Sequence, residues 1–185
     1  IYFGGASQAA EQVGAAHAQT YLMWCEPPAM IAERILHMRE RAAARGRTLR
    51  FGLRVHVFAA PTDDEAWAHV ERLLEEIPKE AIERAQLQMA AYESVGQSRQ
   101  TGLVKGRGRR ARELEVSANL WAGVGLVRGG AGTALVGSYE HVAQRIEEYY
   151  QLGVECFVLS GFPHLEEAIH QGAELLPLLR RIGRT

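Results

Sequence analysis

Cysteine is scarce in this chain, and where it occurs it is isolated. Cys25 and Cys156 each lie within an apolar run and neither stands in metal-ligand spacing. That argues against a disulfide scaffold or a zinc module and fits a reducing, cytoplasmic setting, where a free cysteine usually packs as a small apolar residue. An excess of one charge is also lacking: 21 Lys and Arg stand against 22 Asp and Glu, a formal net charge of -1. No global field therefore recruits nucleic acid or an acidic membrane, and a charged ligand must be read locally. No run of eighteen apolar residues exists, nor a basic start followed by a short apolar core and a cleavage site, so neither a membrane span nor a leader is expected. The first residue is Ile1, in an apolar piece with no leading turn; this predicts a fragment or a processed chain.

With 185 residues, 47% of them hydrophobic, there is enough chain for one good core, and residues 1–185 read as a single, partial domain. Short apolar runs alternate with longer amphipathic ones, the pattern of a parallel sheet covered by helices. Strands are expected at 1–3, 21–24, 49–59 and 155–160. Ser7 is the expected N-cap of a helix over 7–18, after a turn at Gly4 and Gly5. Pro27 and Pro28 open a helix to about residue 45, which Gly46 stops. Thr62 and Glu65 form a capping box, and Pro78 separates that helix from another over 79–92. Ser138 caps a helix to 152, and a last helix over 165–182 is expected to break near Pro177. Between 94 and 132 no hydrophobic periodicity survives, which marks an insertion after the third strand. Four β/α units are half of an eight-stranded β/α barrel and leave two strand edges needing cover. An open, doubly wound four-stranded sheet is the structural alternative.

In such barrels the chemistry sits at the C-terminal ends of the strands. Gly4, Gly5, Ala6 and Ser7 end a strand and begin a helix, so free backbone N–H groups and the Ser7 hydroxyl can bind a phosphate, or Ser7 simply caps. Trp24 ends the second strand and can wall an aromatic cofactor or belong to the core. On the third strand, alternation sends Arg54 and His56 to one face, where two polar side chains are costly to bury without a task. Phe162 and His164 follow the last strand and line the barrel mouth, with His164 read as a cap or a solvent-facing residue.

The segment from Asn119 to Gly137 is rich in glycine and carries one charge, Arg128. It reads as a mobile loop that closes over a ligand and delivers a guanidinium to an anion. A dinucleotide fingerprint does not fit, because Arg128 occupies its third glycine position. The basic run Arg99, Lys105, Arg107, Arg109, Arg110 and Arg112 has no stacking aromatics among its members and reads as a solvated lid segment, not a nucleic-acid site.

At these residues the chain resembles the luciferase-like flavin monooxygenases, and within them the reduced-FMN-dependent alkanesulfonate monooxygenases. The resemblance is carried by Tyr2-Phe3-Gly4-Gly5, Glu26-Pro27-Pro28, Arg50 to Val57, Asn119 to Gly137 and Phe157 to Ala168. It covers the C-terminal half of such an enzyme. It implies half of a (β/α)8 barrel of luciferase-like type with a lid insertion over about 94–132. It further implies reduced FMN delivered by an NAD(P)H-dependent reductase, molecular oxygen as co-substrate, and an alkanesulfonate cleaved to aldehyde and sulfite. By position, Gly5, Ala6 and Ser7 fall on the flavin-phosphate site. Trp24, Arg54 and His56 fall on active-site residues, and Arg128 on the lid arginine that meets the sulfonate. His56 is expected to hold a titratable proton near neutral pH. Phe162 stands where those enzymes carry a tyrosine, so a hydroxyl donor is lost from the substrate pocket, and Cys25 replaces a glycine. The partner is expected to be a missing N-terminal half barrel or a second copy. Two further readings are a noncatalytic half-barrel interaction subunit and a luciferase-like monooxygenase with another substrate.

Overall fold

The structure, a computed structural model, describes residues 1–181. Four apolar runs become the strands β1 (Tyr2–Gly4), β2 (Thr20–Trp24), β3 (Arg50–Ala60) and, after a long excursion, β7 (Val154–Ser160). They lie side by side as β1-β2-β3-β7, every pair parallel. The helices between them begin where the caps predict. Ser7 Oγ accepts from Ala10 N–H at 3.2 Å at the start of α1 (Gln8–His17), and Pro28 opens α2 (Pro28–Ala43). Thr62 and Glu65 close a capping box at α3 (Asp63–Glu75), and Ser138 caps α6 (Tyr139–Gln151).

Alternation along the strands decides the faces. Phe51, Leu53, Val55 and Val57 of β3 point to the same side as Tyr21 and Met23 of β2 and pack against Ile31, Ile35 and Met38 of α2 and Val142, Ile146 and Tyr149 of α6. Burying one such side chain stabilises the fold by roughly 1.5–3 kcal/mol, so this cluster is its main support. α1, α2 and α6 share that one face, which fits the wall of a β/α barrel and not a doubly wound sheet. The other face of the curled sheet carries layers set by register. Gly4, Leu22, Gly52 and Cys156 form one layer, Trp24, Arg54 and Val158 the next, and His56 with Ser160 the last. This concave face is open at its edges, with Tyr2 61% and Val158 40% exposed.

The excursion between β3 and α6 holds α3, α4 (Lys79–Ala90), α5 (Val95–Val104), an antiparallel pair β4 (Glu115–Ser117) and β5 (Leu120–Trp121), and β6 (Ala134–Ser138). β6 runs parallel to the last residues of β3 along the edge that β2 has left. Arg54 C=O accepts from Cys25 N–H at 2.9 Å, and two residues later His56 N–H donates to Thr133 C=O at 3.1 Å. A second core forms there from Phe58, Trp67, Val70, Leu114, Trp121 and Val136.

Two expectations fail in this region. Residues 94–132 are not without periodic structure, because α5 lies among them. Its buried residues are Gln97, Gln100 and Val104, so a hydrophobic pattern could not announce it. The glycine-rich segment is not a free loop either: it contains β5 and β6, and its residues 120–126 and 131–137 are buried. At the C-terminal end, α7 (His164–His170) passes through a π-helical turn (Gln171–Leu175) into α8 (Leu176–Leu179). The last helix is thus interrupted near Pro177, as expected, and Pro177 itself sits in the first turn of α8, where its missing N–H is not needed. Ile182, the expected last helical residue, lies outside the described residues. No helix among the described residues is long and apolar enough to cross a membrane.

Candidate active site at the strand ends

The alternation that buries Val55 and Val57 on the helix side turns Arg54 and His56 to the concave face. His56 is 1% exposed. Three side-chain atoms on neighbouring positions, Arg54 Nε, His56 Nδ1 and Ser160 Oγ, are buried without a hydrogen-bond partner among the described residues. Leaving a buried polar group unsatisfied costs about 1–3 kcal/mol, so three together mark a place where a bound molecule would supply the missing partners. Phe162 joins this cluster, its ring centroid 5.3 Å from that of His56 and 4.7 Å from that of His164. The Arg128 guanidinium lies over Phe162 at 5.2 Å from the ring centre, a cation–π contact. Phe162, Arg128 and Arg54 thus gather around His56, and the exposed His164 packs against Phe162 with its ring tilted by 44°.

His56 is not the near-neutral titrating group that the sequence suggested. Its Nε2 lies 3.1 Å from Ala131 C=O. A carbonyl only accepts, so Nε2 carries the hydrogen and Nδ1 of the neutral ring is a bare acceptor. Burial above all, then the positive charges of Arg128 and Arg54, hold the imidazole pKa down at about 4 against the opposing pull of the Ala131 bond. At neutral pH the ring is uncharged and can take a hydrogen bond at Nδ1.

The glycine-rich segment reaches His56 under restraint. Gly125 N–H donates to Gly132 C=O at 2.9 Å and closes the neck of a loop. Gln86 of α4 donates to Gly125 and Leu126 carbonyls at 2.9 and 2.7 Å, Gln97 accepts from Gly130 N–H at 2.8 Å, and Gln100 accepts from Gly132 N–H at 2.9 Å. Only the tip, with Val127 and Arg128, is exposed. A Cβ on Gly132 would come within 2.9 Å of the Gly125 backbone, so the close approach at the neck requires glycine. None of the three glutamines stood out in the sequence; nothing there distinguishes an inward amide from a solvated one.

At the ends of β1 and β2 lies a pocket of about 310 Å³, lined by Gly4, Gly5, Ala6, Leu22, Trp24, Arg34 and Gly96 among others. A Cβ on Gly5 would be 2.5 Å from that of Ala10, and Tyr21 O–H donates to Gly5 C=O. The turn is bare of side chains and held. Ser7 is exposed, and its oxygen is the cap of α1. Trp24 walls the pocket and lies against α5 and the glycine-rich segment, where added Cβ atoms on Gly96 and Gly130 would be 3.1 and 3.8 Å from its ring.

The sequence pattern of luciferase-like monooxygenases matches residues 1–156. The chain belongs to that family. Solved structures with this fold include riboflavin lyase (20% identity, TM-score 0.72), DmoA from Hyphomicrobium sulfonivorans (19%, 0.72) and EDTA monooxygenase from Chelativorans sp. BNC1 (14%, 0.66). They are matched over 98%, 100% and 98% of this chain, but over only 43%, 42% and 46% of their own lengths. This chain therefore spans less than half of each.

One further feature of this luciferase-like monooxygenase chain corrects the sequence reading, and another agrees with it. Arg99, read as part of a solvated segment, grips Glu26 with two bonds of 2.7 and 2.5 Å, and Glu26 is 1% exposed. The pair ties α5 to the turn after β2, where Gln100 and Thr133 also donate to Cys25 C=O at 3.1 and 2.9 Å. Burial pushes the Cys25 thiol up to about 12, so it is no nucleophile at neutral pH and packs as an apolar residue.

Proposed function

We propose that this chain forms the anion-binding side of a reduced-FMN-dependent monooxygenase that cleaves an alkanesulfonate to an aldehyde and sulfite. The observation that carries the reading is the gathering of Arg54, Arg128 and Phe162 around neutral His56 at the strand ends, with Arg54 Nε and His56 Nδ1 buried and unpartnered among the described residues. A sulfonate is a permanent anion suited to forked guanidinium donors. Arg54 and Arg128 would hold it, Phe162 would pack along its carbon chain, and Nδ1 of His56 would accept a hydrogen bond or a proton from a donor beside it.

The pocket at β1 and β2 fits a flavin: it has an apolar wall in Trp24 and Leu22, a side-chain-free turn at Gly4 and Gly5, and the start of α1 behind Ala6 and Ser7. The Gln8 and Ala9 amides there lie in the first turn, where no intrahelical acceptor exists for them, and would meet a phosphate. Bound reduced FMN, supplied by an NAD(P)H-dependent reductase, would furnish the electrons that activate molecular oxygen. The tip carrying Arg128 would exclude water from the site. A second half barrel, from further polypeptide or another copy, would cover the concave face.

Combining this chain with a matching half barrel, reduced FMN, oxygen and an alkanesulfonate is expected to release sulfite. No sulfite from any soluble complex of that kind overturns the proposal. A second reading keeps the flavin chemistry and changes the substrate; it is favoured by Phe162, which makes the mouth more apolar than a tyrosine would. Product formation from an unsulfonated, long apolar substrate in the same assay would decide for it.

A further inference from the structure

Ala131 offers the carbonyl that receives the His56 Nε2 hydrogen, and the amides on both sides of it are held by one helix. Gly130 N–H goes to Gln97 Oε1 and Gly132 N–H to Gln100 Oε1, at 2.8 and 2.9 Å. The two glutamines are three residues apart on α5, hence on one face, and they are 4% and 2% exposed. Their amides cannot be turned around. Gln97 Nε2 is directed at Thr101 Oγ1 and Met89 Sδ, at 3.2 and 3.4 Å, and Gln100 Nε2 donates to Cys25 C=O, so each Oε1 is left for a loop N–H. The Arg99–Glu26 pair between them locks the helix to the end of β2.

We infer that Gln97 and Gln100 are positioning residues for His56: by holding the amides that flank Ala131 they aim its carbonyl at Nε2, fix the imidazole proton there and leave Nδ1 the bare acceptor. Gln86 grips the same segment on the other side of the loop tip, at Gly125 and Leu126, and has no such role. The inference rests on the proposed function only in taking His56 as a site residue, and its chemistry is read without flavin or substrate.

The test is NMR on the intact protein with ¹⁵N-labelled histidine. Unsubstituted protein at neutral pH is expected to show His56 Nδ1 unprotonated, its Nε2–H slow to exchange with solvent, and slow exchange of the Gly130 and Gly132 amides. Gln97→Met and Gln100→Met should each speed Nε2–H exchange by about fivefold or more, the equivalent of one lost hydrogen bond. Gln97→Glu, which keeps an acceptor for Gly130, should restore slow exchange, and Gln86→Met should leave it within about twofold. The His141 signal, from a ring paired with Asp63 at 2.7 Å, reports that each variant is folded. Unchanged Nε2–H exchange in the folded methionine variants overturns the inference. So does solvent-rate exchange of Gly130 and Gly132 in the unsubstituted protein, a result that needs no variant to fold. A protected Nε2–H in a protein that releases no sulfite would reject the proposed function and keep this assignment; sulfite release with an unprotected Nε2–H would do the reverse.

Discussion

Helices α6 and α5 are of similar standing in the fold, yet they bury opposite chemistry. α6 turns Val142, Ala143, Ile146 and Tyr149 inward, the helical spacing of an apolar stripe, against a strand face that is itself apolar. α5 turns Gln97 and Gln100 inward, because what it meets is the backbone of a glycine-rich segment whose N–H groups have no side chains to shield them and need acceptors. The first contact is stabilised by area removed from water and tolerates repacking. The second is stabilised by satisfied polar groups and is specific in direction. The difference separates the part of the molecule that holds it together from the part that sets the site.

Substitutions can break this comparison from either side. The largest stability loss is expected from Ile146→Ala, about 3–4 kcal/mol in denaturant titration, with no change at His56. A change of the His56 NMR signal in that variant would show the two regions to be coupled. Next comes acid. Unfolded histidine protonates near its ordinary value of 6.5, whereas folded His56 does so only near 4, so the unfolded chain binds more protons between those values. Stability should fall by up to about 3 kcal/mol as pH drops through that window and should be flat above it as far as this group is concerned. His56→Gln should remove most of that slope, measured as the denaturation midpoint against pH.

Gln100→Leu is expected to cost about 1–3 kcal/mol, because it orphans the Gly132 N–H inside the protein, while Cys25 C=O keeps Thr133. A neutral result would mean that the amide has another partner or reaches water. Smallest in stability is Arg128→Ala, within about 0.5 kcal/mol as for an exposed residue. Its effect should instead appear as a strong loss of turnover in the sulfite assay, and unchanged turnover would remove Arg128 from the site.

Much of the architecture was legible because it rests on local rules. The caps at Ser7, Thr62 and Ser138, the stop before Pro78 and the placing of Arg54 and His56 on one face follow from hydrogen-bond geometry and the two-residue period of a strand. What was misread shares a different cause. β6 was hidden in a glycine-rich run, α5 by its polar buried face, and Arg99 by its place in a basic stretch. Each is placed by contacts far along the chain, such as Arg99 with Glu26 and Gly132 with Gln100.

The amino-acid sequence by itself determined the order of β/α units, the apolar layer between sheet and helices, and which side chains point into the concave face, since all of these depend on periodicity and on neighbours a few residues away. The tertiary structure alone decided that the glycine-rich segment is pinned except at its tip, that Glu26 and Arg99 pair, and that His56 is neutral with its hydrogen on Nε2. Those outcomes depend on which distant groups arrive beside a buried polar atom. Burial and hydrogen-bond partners, unlike periodicity, exist only once the chain has folded.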